Sequence, residues 1–255
     1  MNMAKKQRQQ YILQLLEDNN IMMISALAEL LQCSMMTVRR DIDEMESQEL
    51  VVKAHGSVLL NNNRSGQPSH FLRVNQNVEE KKRIGAEAVK LIEDGKSVFF
   101  DGGSTTYYVA CSIPNKLSFS AITNSLMTAV ELCQKPNVNV VMLGGKLYKS
   151  SFTTVHNDVI ETARKFRTDL AFISTKAVML PDGLFETELS LIEIKKIMLE
   201  RTDKAVLIAD HTKFSDSALC MSVSMADIDH LITNREISKE YLEELQQLGI
   251  SYTLA

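Results

Sequence analysis

Apolar positions recur with two different periods along this chain, and the change of period divides it. Over the first sixty residues the spacing is helical. Ile12, Leu15 and Leu16 share one face of a stretch from Arg8 to Asp18. Leu27, Leu30 and Leu31 share a face of a shorter stretch that Ser25 is placed to cap. Behind Ser34, a second N-cap residue, Val38, Ile42 and Met45 fall at i, i+4 and i+7 and form one buried stripe. The opposite edge of that third helix presents Met35, Met36, Arg39 and Arg40 near its start. Residues 50–60 then read as two short strands around a turn at Gly56.

The later part of the chain is built from apolar runs that each end in a small polar cluster. SVFF runs into Asp101-Gly102-Gly103-Ser104-Thr105-Thr106, and FSAIT into Asn124-Ser125. VNVVML runs into Gly144-Gly145-Lys146, and LAFI into Ser174-Thr175-Lys176. AVLIA ends at Asp210-His211-Thr212-Lys213, HLIT ends at Asn234, and the terminal SYTLA offers one more strand. Helical patterns at about 105–112, 125–135, 157–166, 188–202 and 238–248 lie between them. Such alternation predicts a mainly parallel α/β sheet covered by helices. The carboxyl ends of its strands are where such sheets bind ligands.

Between the two patterns, residues 61–68 are polar and turn-rich, and a helix is expected from about Val78 to Glu93, ended near Gly95. The expected division is a DNA-binding module at 1–60, a linker at 61–77 and an α/β domain at 78–255. A tight pair of helices with the second presented N-terminus first is the geometry of major-groove reading. Arg39 and Arg40 are suited to guanine, the methionines to a thymine methyl, and Lys53 and His55 on the two-stranded wing to phosphate. Three short amphipathic helices fit a protein-interaction module equally well.

Charge narrows this picture. The whole chain carries a net charge of −4, which argues against a coating, non-specific nucleic-acid binder. Residues 1–60 are themselves net negative, so any DNA contact depends on the local placement of a few cations. Cys33, Cys111, Cys133 and Cys220 are scattered without metal-ligand spacing and read as free thiols. No apolar stretch approaches a membrane span and the N-terminus lacks an apolar signal core, so a cytoplasmic protein without membrane contact is expected. Nothing calls for a metal or another cofactor.

The run Ser34-Met35-Met36-Thr37-Val38-Arg39-Arg40-Asp41-Ile42, with His55-Gly56 downstream, resembles the N-terminal domain of the DeoR family of bacterial transcriptional regulators. Phe71, Arg73, Glu80, Lys81 and Ile84 resemble that family's entry to its second domain. DGGSTT, TNS, VVMLGG, the Glu193–Met198 stretch and ADHTKF resemble its C-terminal sensor domain. The resemblance implies a winged helix–turn–helix in which Thr37, Arg39 and Arg40 meet operator DNA. It also implies a sensor similar in fold to ribose-5-phosphate isomerase and CoA transferases, and a phosphorylated sugar as effector. The family often has Arg where Lys53 stands, a second Gly where Ser57 stands, and small residues where Lys176 stands.

The residues support a phosphate site by themselves. Gly102 and Gly103 permit close backbone approach, and Ser104, Thr105 and Thr106 add hydroxyls at a helix N-terminus. Lys213 and Lys176 are expected to add cations, and Asp101, Asn124, Ser125 and Glu193 to meet sugar hydroxyls. Gly144 and Gly145 are either another close approach or a turn. His156 and His211 read as lone histidines with no catalytic role. Three functions follow: a repressor released by its effector, an activator of the same architecture, or a sugar-phosphate isomerase or deaminase relying on Asp101 and Glu193. Paired operator half-sites call for a homo-oligomer, a dimer or tetramer.

Overall fold

The computed structural model describes residues 4–19, 21–47, 50–54, 56–60, 70–214 and 219–255. The chain forms two compact units, Met1–Gln76 and Asn77–Ala255.

The first unit runs α1 (Lys5–Asn19), β1 (Ile21–Met23), α2 (Ile24–Leu30), α3 (Met35–Ser47), β2 (Val51–Ala54), β3 (Ser57–Leu60) and α4 (His70–Asn75). Its core joins Ile12 and Leu16 of α1, Leu27 and Leu31, and Val38, Ile42 and Met45 of α3. The expected stripes therefore meet, with one exception. Leu30 is 56% exposed, because the buried face of α2 runs through Ile24, Leu27 and Ala28 to Leu31. Ser25 does not cap α2, which starts one residue earlier. β1, which sequence spacing does not reveal, pairs antiparallel with β3 and delivers the chain straight into the helix. The N–H of Ile24 donates to the carbonyl of Gly56 at 2.8 Å, so the wing turn satisfies the first N–H of that helix. Gly56 has φ +82°, a left-handed conformation that favours glycine. Ser34 does cap α3: its Oγ accepts from the Thr37 N–H at 3.1 Å. Part of the stretch expected as linker is helical, since α4 packs beside β2.

The second unit runs α5 (Val78–Val89), β4 (Ser97–Phe100), α6 (Ser104–Ser112), β5 (Phe119–Thr123), α7 (Leu126–Leu132) and β6 (Val138–Met142). A hairpin of β7 (Lys146–Tyr148) and β8 (Thr153–Val155) leads to α8 (Asn157–Ala163) and β9 (Leu170–Ile173). Then come β10 (Ala177–Met179), β11 (Gly183–Glu186), α9 (Ile192–Glu200), β12 (Ala205–Ile208), β13 (Cys220–Ser224), β14 (His230–Thr233), α10 (Lys239–Gln247) and β15 (Ser251–Leu254). α5 stops four residues short of the expected end, its last N–H groups turning back three residues instead of four.

Among the described residues seven strands form one parallel sheet, ordered β15-β14-β12-β9-β4-β5-β6. Both faces are covered. Val98 and Phe100 of β4 pack with Ile84 of α5, Val109 of α6 and Leu132 of α7. Phe99 points the other way, into a cluster with Val159 of α8, Ile194 of α9 and Leu245 of α10. This two-sided burial is why β9 and β12 read as unbroken apolar runs. The chain first lays strands outward from β4 through β5 to β6, then returns to β4's other side with β9. The order thus reverses between β4 and β9, the crevice where open α/β sheets bind ligands. A smaller antiparallel sheet, β10-β11-β13, is inserted after β9.

Candidate functional site

Two surfaces concentrate the chemistry, one in each unit. In the first, α3 presents its N-terminal turns. Ser34, Met35, Met36, Arg39 and Arg40 are exposed, with Met36 at 60%, while Thr37 is half-buried and its hydroxyl lies 2.9 Å from Ser34 Oγ. Among the described residues neither arginine has an acidic partner. The same helix carries four carboxylates, and each is held. Arg8 of α1 forks onto Asp41, Nε to Oδ2 and a terminal nitrogen to Oδ1 at 3.0 Å, both residues being buried. Lys5 pairs with Glu44, which also accepts from Gln9 at 3.1 Å. Lys53 bridges Asp43 and Glu46, each at 2.7 Å. Hydrogen bonds to those two carboxylates hold the Lys53 ammonium above its usual range. Lys53 is thus not the unengaged phosphate ligand expected from its position on the wing. His55 lies outside the described residues.

In the second unit the polar clusters gather at the carboxyl edge of the sheet, at the β4–β9 crevice. Asp101 is the centre. Its Oδ1 accepts from the Gly102 N–H at 2.7 Å, and its Oδ2 accepts from the Ser174 N–H at 3.0 Å and the Ser174 hydroxyl at 2.9 Å. Lys195 of α9 completes the shell, donating to Asp101 and to the Ser174 carbonyl and pairing with Glu186 of β11 at 3.2 Å. Burial penalises the Lys195 charge, but the facing carboxylates of Asp101 and Glu186 outweigh it and raise its pKa. This single lysine ties together the ends of β4 and β9, the strand β11 and the helix α9.

The double glycine has a different role from the one expected. Its N–H groups do not await a ligand: Gly102 donates to Asp101 Oδ1, and Gly103 to the Asp101 carbonyl at 3.1 Å. The missing side chains matter instead. A methyl on Gly102 would sit 2.0 Å from Thr153 Cγ2, and one on Gly103 would sit 2.1 Å from Ser174 Oγ. The donors left over are the N–H groups of Ser104, Thr105 and Thr106, which open α6 and have no preceding turn to bond to. All three side chains are buried. Thr106 Oγ1 and Asn124 Oδ1 are buried without a partner among the described residues. Asn124 Oδ1 lies 3.5 Å from the position of a Gly102 methyl, so the β5 end adjoins the glycine loop. Further along the sheet, at the ends of β12 and β14, Asp210 Oδ2 and Thr233 Oγ1 are likewise buried and unpartnered among the described residues.

Other expected residues fall elsewhere. Ser125 is buried and occupied as a cap, its Oγ accepting from the Thr128 N–H at 3.3 Å. Glu193 is exposed on α9, so it is not the carboxylate of this crevice. Gly144 and Gly145 are exposed at the base of the β7–β8 hairpin, where Gly145 has φ +151° and passes close to Val159. Lys176 is half-buried just beyond β9, and Lys213 half-buried in the 3-10 turn His211–Lys213. His156 is exposed at the start of α8 with no capping bond. The His211 ring meets the Asn234 amide, not Asp210. Sequence reasoning missed Lys195 and Glu186. It also missed Asn77, whose side-chain amide donates to Asp210 Oδ1 at 3.2 Å and Thr212 Oγ1 at 3.3 Å.

Residues 8–64 match the family model of the DeoR-like helix-turn-helix domain, and residues 76–235 match the DeoR C terminal sensor domain. The chain belongs to the DeoR family. Its two domains are those of a DeoR-type DNA-binding transcriptional regulator. Similar DeoR-family proteins include the HTH-type transcriptional regulator GolR of Listeria innocua, 29% identical over 98% of each chain. The glycerol-3-phosphate regulon repressor of Escherichia coli is 26% identical over 91% of this chain and 92% of its own. Among solved structures, ribose 5-phosphate isomerase A of Methanocaldococcus jannaschii is similar over 55% of this chain and 56% of its own, at 20% identity and a TM-score of 0.42. No helix among the described residues is long and apolar enough to cross a membrane.

Proposed function

We propose that this regulator represses a carbohydrate or nucleoside catabolic operon, and that a phosphorylated sugar bound at the β4–β9 crevice releases it from operator DNA. The observation that carries the reading is the unsatisfied polar rim of that crevice. Three N–H groups open α6, and beside them Thr106 Oγ1 and Asn124 Oδ1 are buried without partners among the described residues. Buried polar groups are normally paired, so a bound polar ligand is their natural complement. The helix terminus favours its phosphate, Asn124 and Thr106 suit its hydroxyls, and Lys176 and Lys213, in the loops that follow β9 and β12, carry positive charge. Likeness to a glycerol-3-phosphate regulon repressor supports both repression and a small phosphorylated effector.

DNA binding belongs to the first unit through Ser34–Arg40, and sensing to the second. Effector binding need only differ in strength between the DNA-bound and released arrangements to act as a switch. Two-fold operators imply at least a dimer in the cytoplasm. An isomerase needs a carboxylate ready to accept a proton. Asp101 has both oxygens committed to Gly102, Ser174 and Lys195, which favours a sensor over an enzyme.

The test is fluorescence anisotropy on DNA from upstream of the protein's own gene, with sugar phosphates titrated into the complex. Release by one phosphosugar, and not by its unphosphorylated form, is the expected result. Tight binding that no sugar phosphate alters removes the effector assignment and leaves the DNA assignment standing. Turnover of ribose 5-phosphate or glucosamine 6-phosphate would instead make it an enzyme.

A further inference from the structure

The helix that must approach DNA is itself acidic. α3 holds Arg39 and Arg40 against Asp41, Asp43, Glu44 and Glu46, and the surrounding sixty residues add no compensating excess of base. A polyanion would repel such a helix unless its carboxylates were silenced. The structure silences all four with cations drawn from outside the helix: Arg8 on Asp41, Lys5 on Glu44, and Lys53 on Asp43 and Glu46. With those three cations counted, the ensemble carries one net positive charge. It is also sorted: the paired charges lie along the middle and C-terminal part of α3, and the unpaired arginines lie toward its start.

We propose that Lys53 is an internal counter-ion of the recognition helix, a positioning residue that shields Asp43 and Glu46 from DNA, and not a phosphate ligand. The attachment is double. The Lys53 ammonium bridges the two side chains, and the Lys53 backbone N–H donates to Glu46 Oε1 at 3.1 Å. Reaching a phosphate would uncover two carboxylates next to the DNA for each phosphate gained. Asp43 and Glu46 therefore hold the wing strand β2 to α3, and Lys53 cancels most of the repulsion that this attachment would otherwise cause. The inference rests on the assignment of α3 as the DNA-contacting helix, and its test separates the two.

Binding of the full-length protein to a duplex of about three helical turns and arbitrary sequence is measured between about 50 and 200 mM salt. Wild type is compared with Lys53→Gln, with Asp43→Asn/Glu46→Gln, and with the triple variant, each checked for an unchanged thermal midpoint. A counter-ion predicts that Lys53→Gln weakens binding about threefold to tenfold at low salt, through exposed repulsion. It also predicts that this loss shrinks as salt screens the repulsion, and that the triple variant binds at least as tightly as wild type. A phosphate ligand predicts a triple variant still weaker than wild type. That result overturns the proposal. Arg39→Gln/Arg40→Gln is the control for the underlying assignment: if it leaves duplex binding unmoved, α3 is not the contacting helix and the proposal falls with it. Should a lowered thermal midpoint mark Lys53→Gln as misfolded, the comparison of Asp43→Asn/Glu46→Gln with wild type decides. Tighter binding by that variant supports shielding, and unchanged or weaker binding refutes it.

Discussion

Each unit buries a charged cluster beneath its working surface, and the two clusters are built on different plans. In the DNA-binding unit Arg8 and Asp41 match one for one, donor fork to carboxylate. The pair is complete and the chemistry is displayed outside it, on exposed arginines and methionines. In the sensor unit one lysine serves two buried carboxylates, Asp101 and Glu186, and oxygens unpartnered among the described residues lie along the carboxyl edge of the sheet. A surface that meets a large polyanion can finish its interior and keep its cations in water. A surface that must enclose a small polar ligand leaves part of its hydrogen bonding open. The contrast is between a closed network that supports recognition and an open one that, on the proposed function, takes part in it.

Removing a cation should expose that difference most strongly. Lys195→Met strands two buried carboxylates and should cost about 3–5 kcal/mol. Arg8→Met strands one and should fall at the lower end of the same range, and adding Asp41→Leu should recover most of the loss. Hydrogen exchange read separately over α3 and over β4 and β9 assigns each loss to its unit. Equal losses, or no recovery in the Arg8 and Asp41 double variant, would break the comparison.

Next in size is Gly103→Ala, which drives a methyl into Ser174 and should cost about 1–3 kcal/mol by overpacking. It should also abolish effector-induced release while leaving operator affinity in place, as anisotropy would report. Ser34→Ala removes the cap of α3 and should cost about 1 kcal/mol, with weaker operator binding as the helix start frays. Unchanged operator affinity there would mean that the first turn of α3 is held by packing alone.

The smallest effect is one of pH. Hydrogen bonds from the Ser97 hydroxyl and N–H, with Lys96 beside them, lower the Asp169 pKa to about 2. A carboxyl depressed on folding adds stability that is complete above its unfolded value, near 4, and is lost as pH falls toward 2. Asp169→Asn should flatten that part of the acid-denaturation profile and leave neutral pH little changed. An undiminished acid slope in that variant would trace the transition to other carboxyls.

Much of this organisation was legible in the order of residues. Fully apolar runs such as Leu170–Ile173 and Ala205–Ile208 announce strands covered on both faces, and their polar ends mark the crevice. Val38, Ile42 and Met45 placed α3, and through it the exposed arginines. What stayed hidden depends on distant pairing. β1 is three residues long and exists because β3 offers it an edge. Glu193 and Lys195 border the same buried position, Ile194, from either side, so spacing does not choose between them. The choice is made by Asp101 and Glu186, which the sheet brings to Lys195 from elsewhere in the chain. The place of Lys53 on a wing points to phosphate, whereas its neighbours on α3 determine what it touches. For the glycines, sequence told only that backbone comes close to something; the something is Thr153 and Ser174.

Asn77 is the first residue of the second unit, and its side chain is bonded to residues 133 and 135 positions further on, in the loop that also carries Lys213. That makes the seam of the protein sharp to a single residue for anyone recombining its parts. A hybrid spliced after Gln76 keeps the native asparagine together with the Asp210 and Thr212 that it bonds. A hybrid spliced one residue later inherits a stranger at that position and opens two hydrogen bonds beside Lys213. Exchange of DNA-reading heads between relatives, in the laboratory or over generations of gene fusion, should therefore succeed or fail at this junction before any question of operator choice arises.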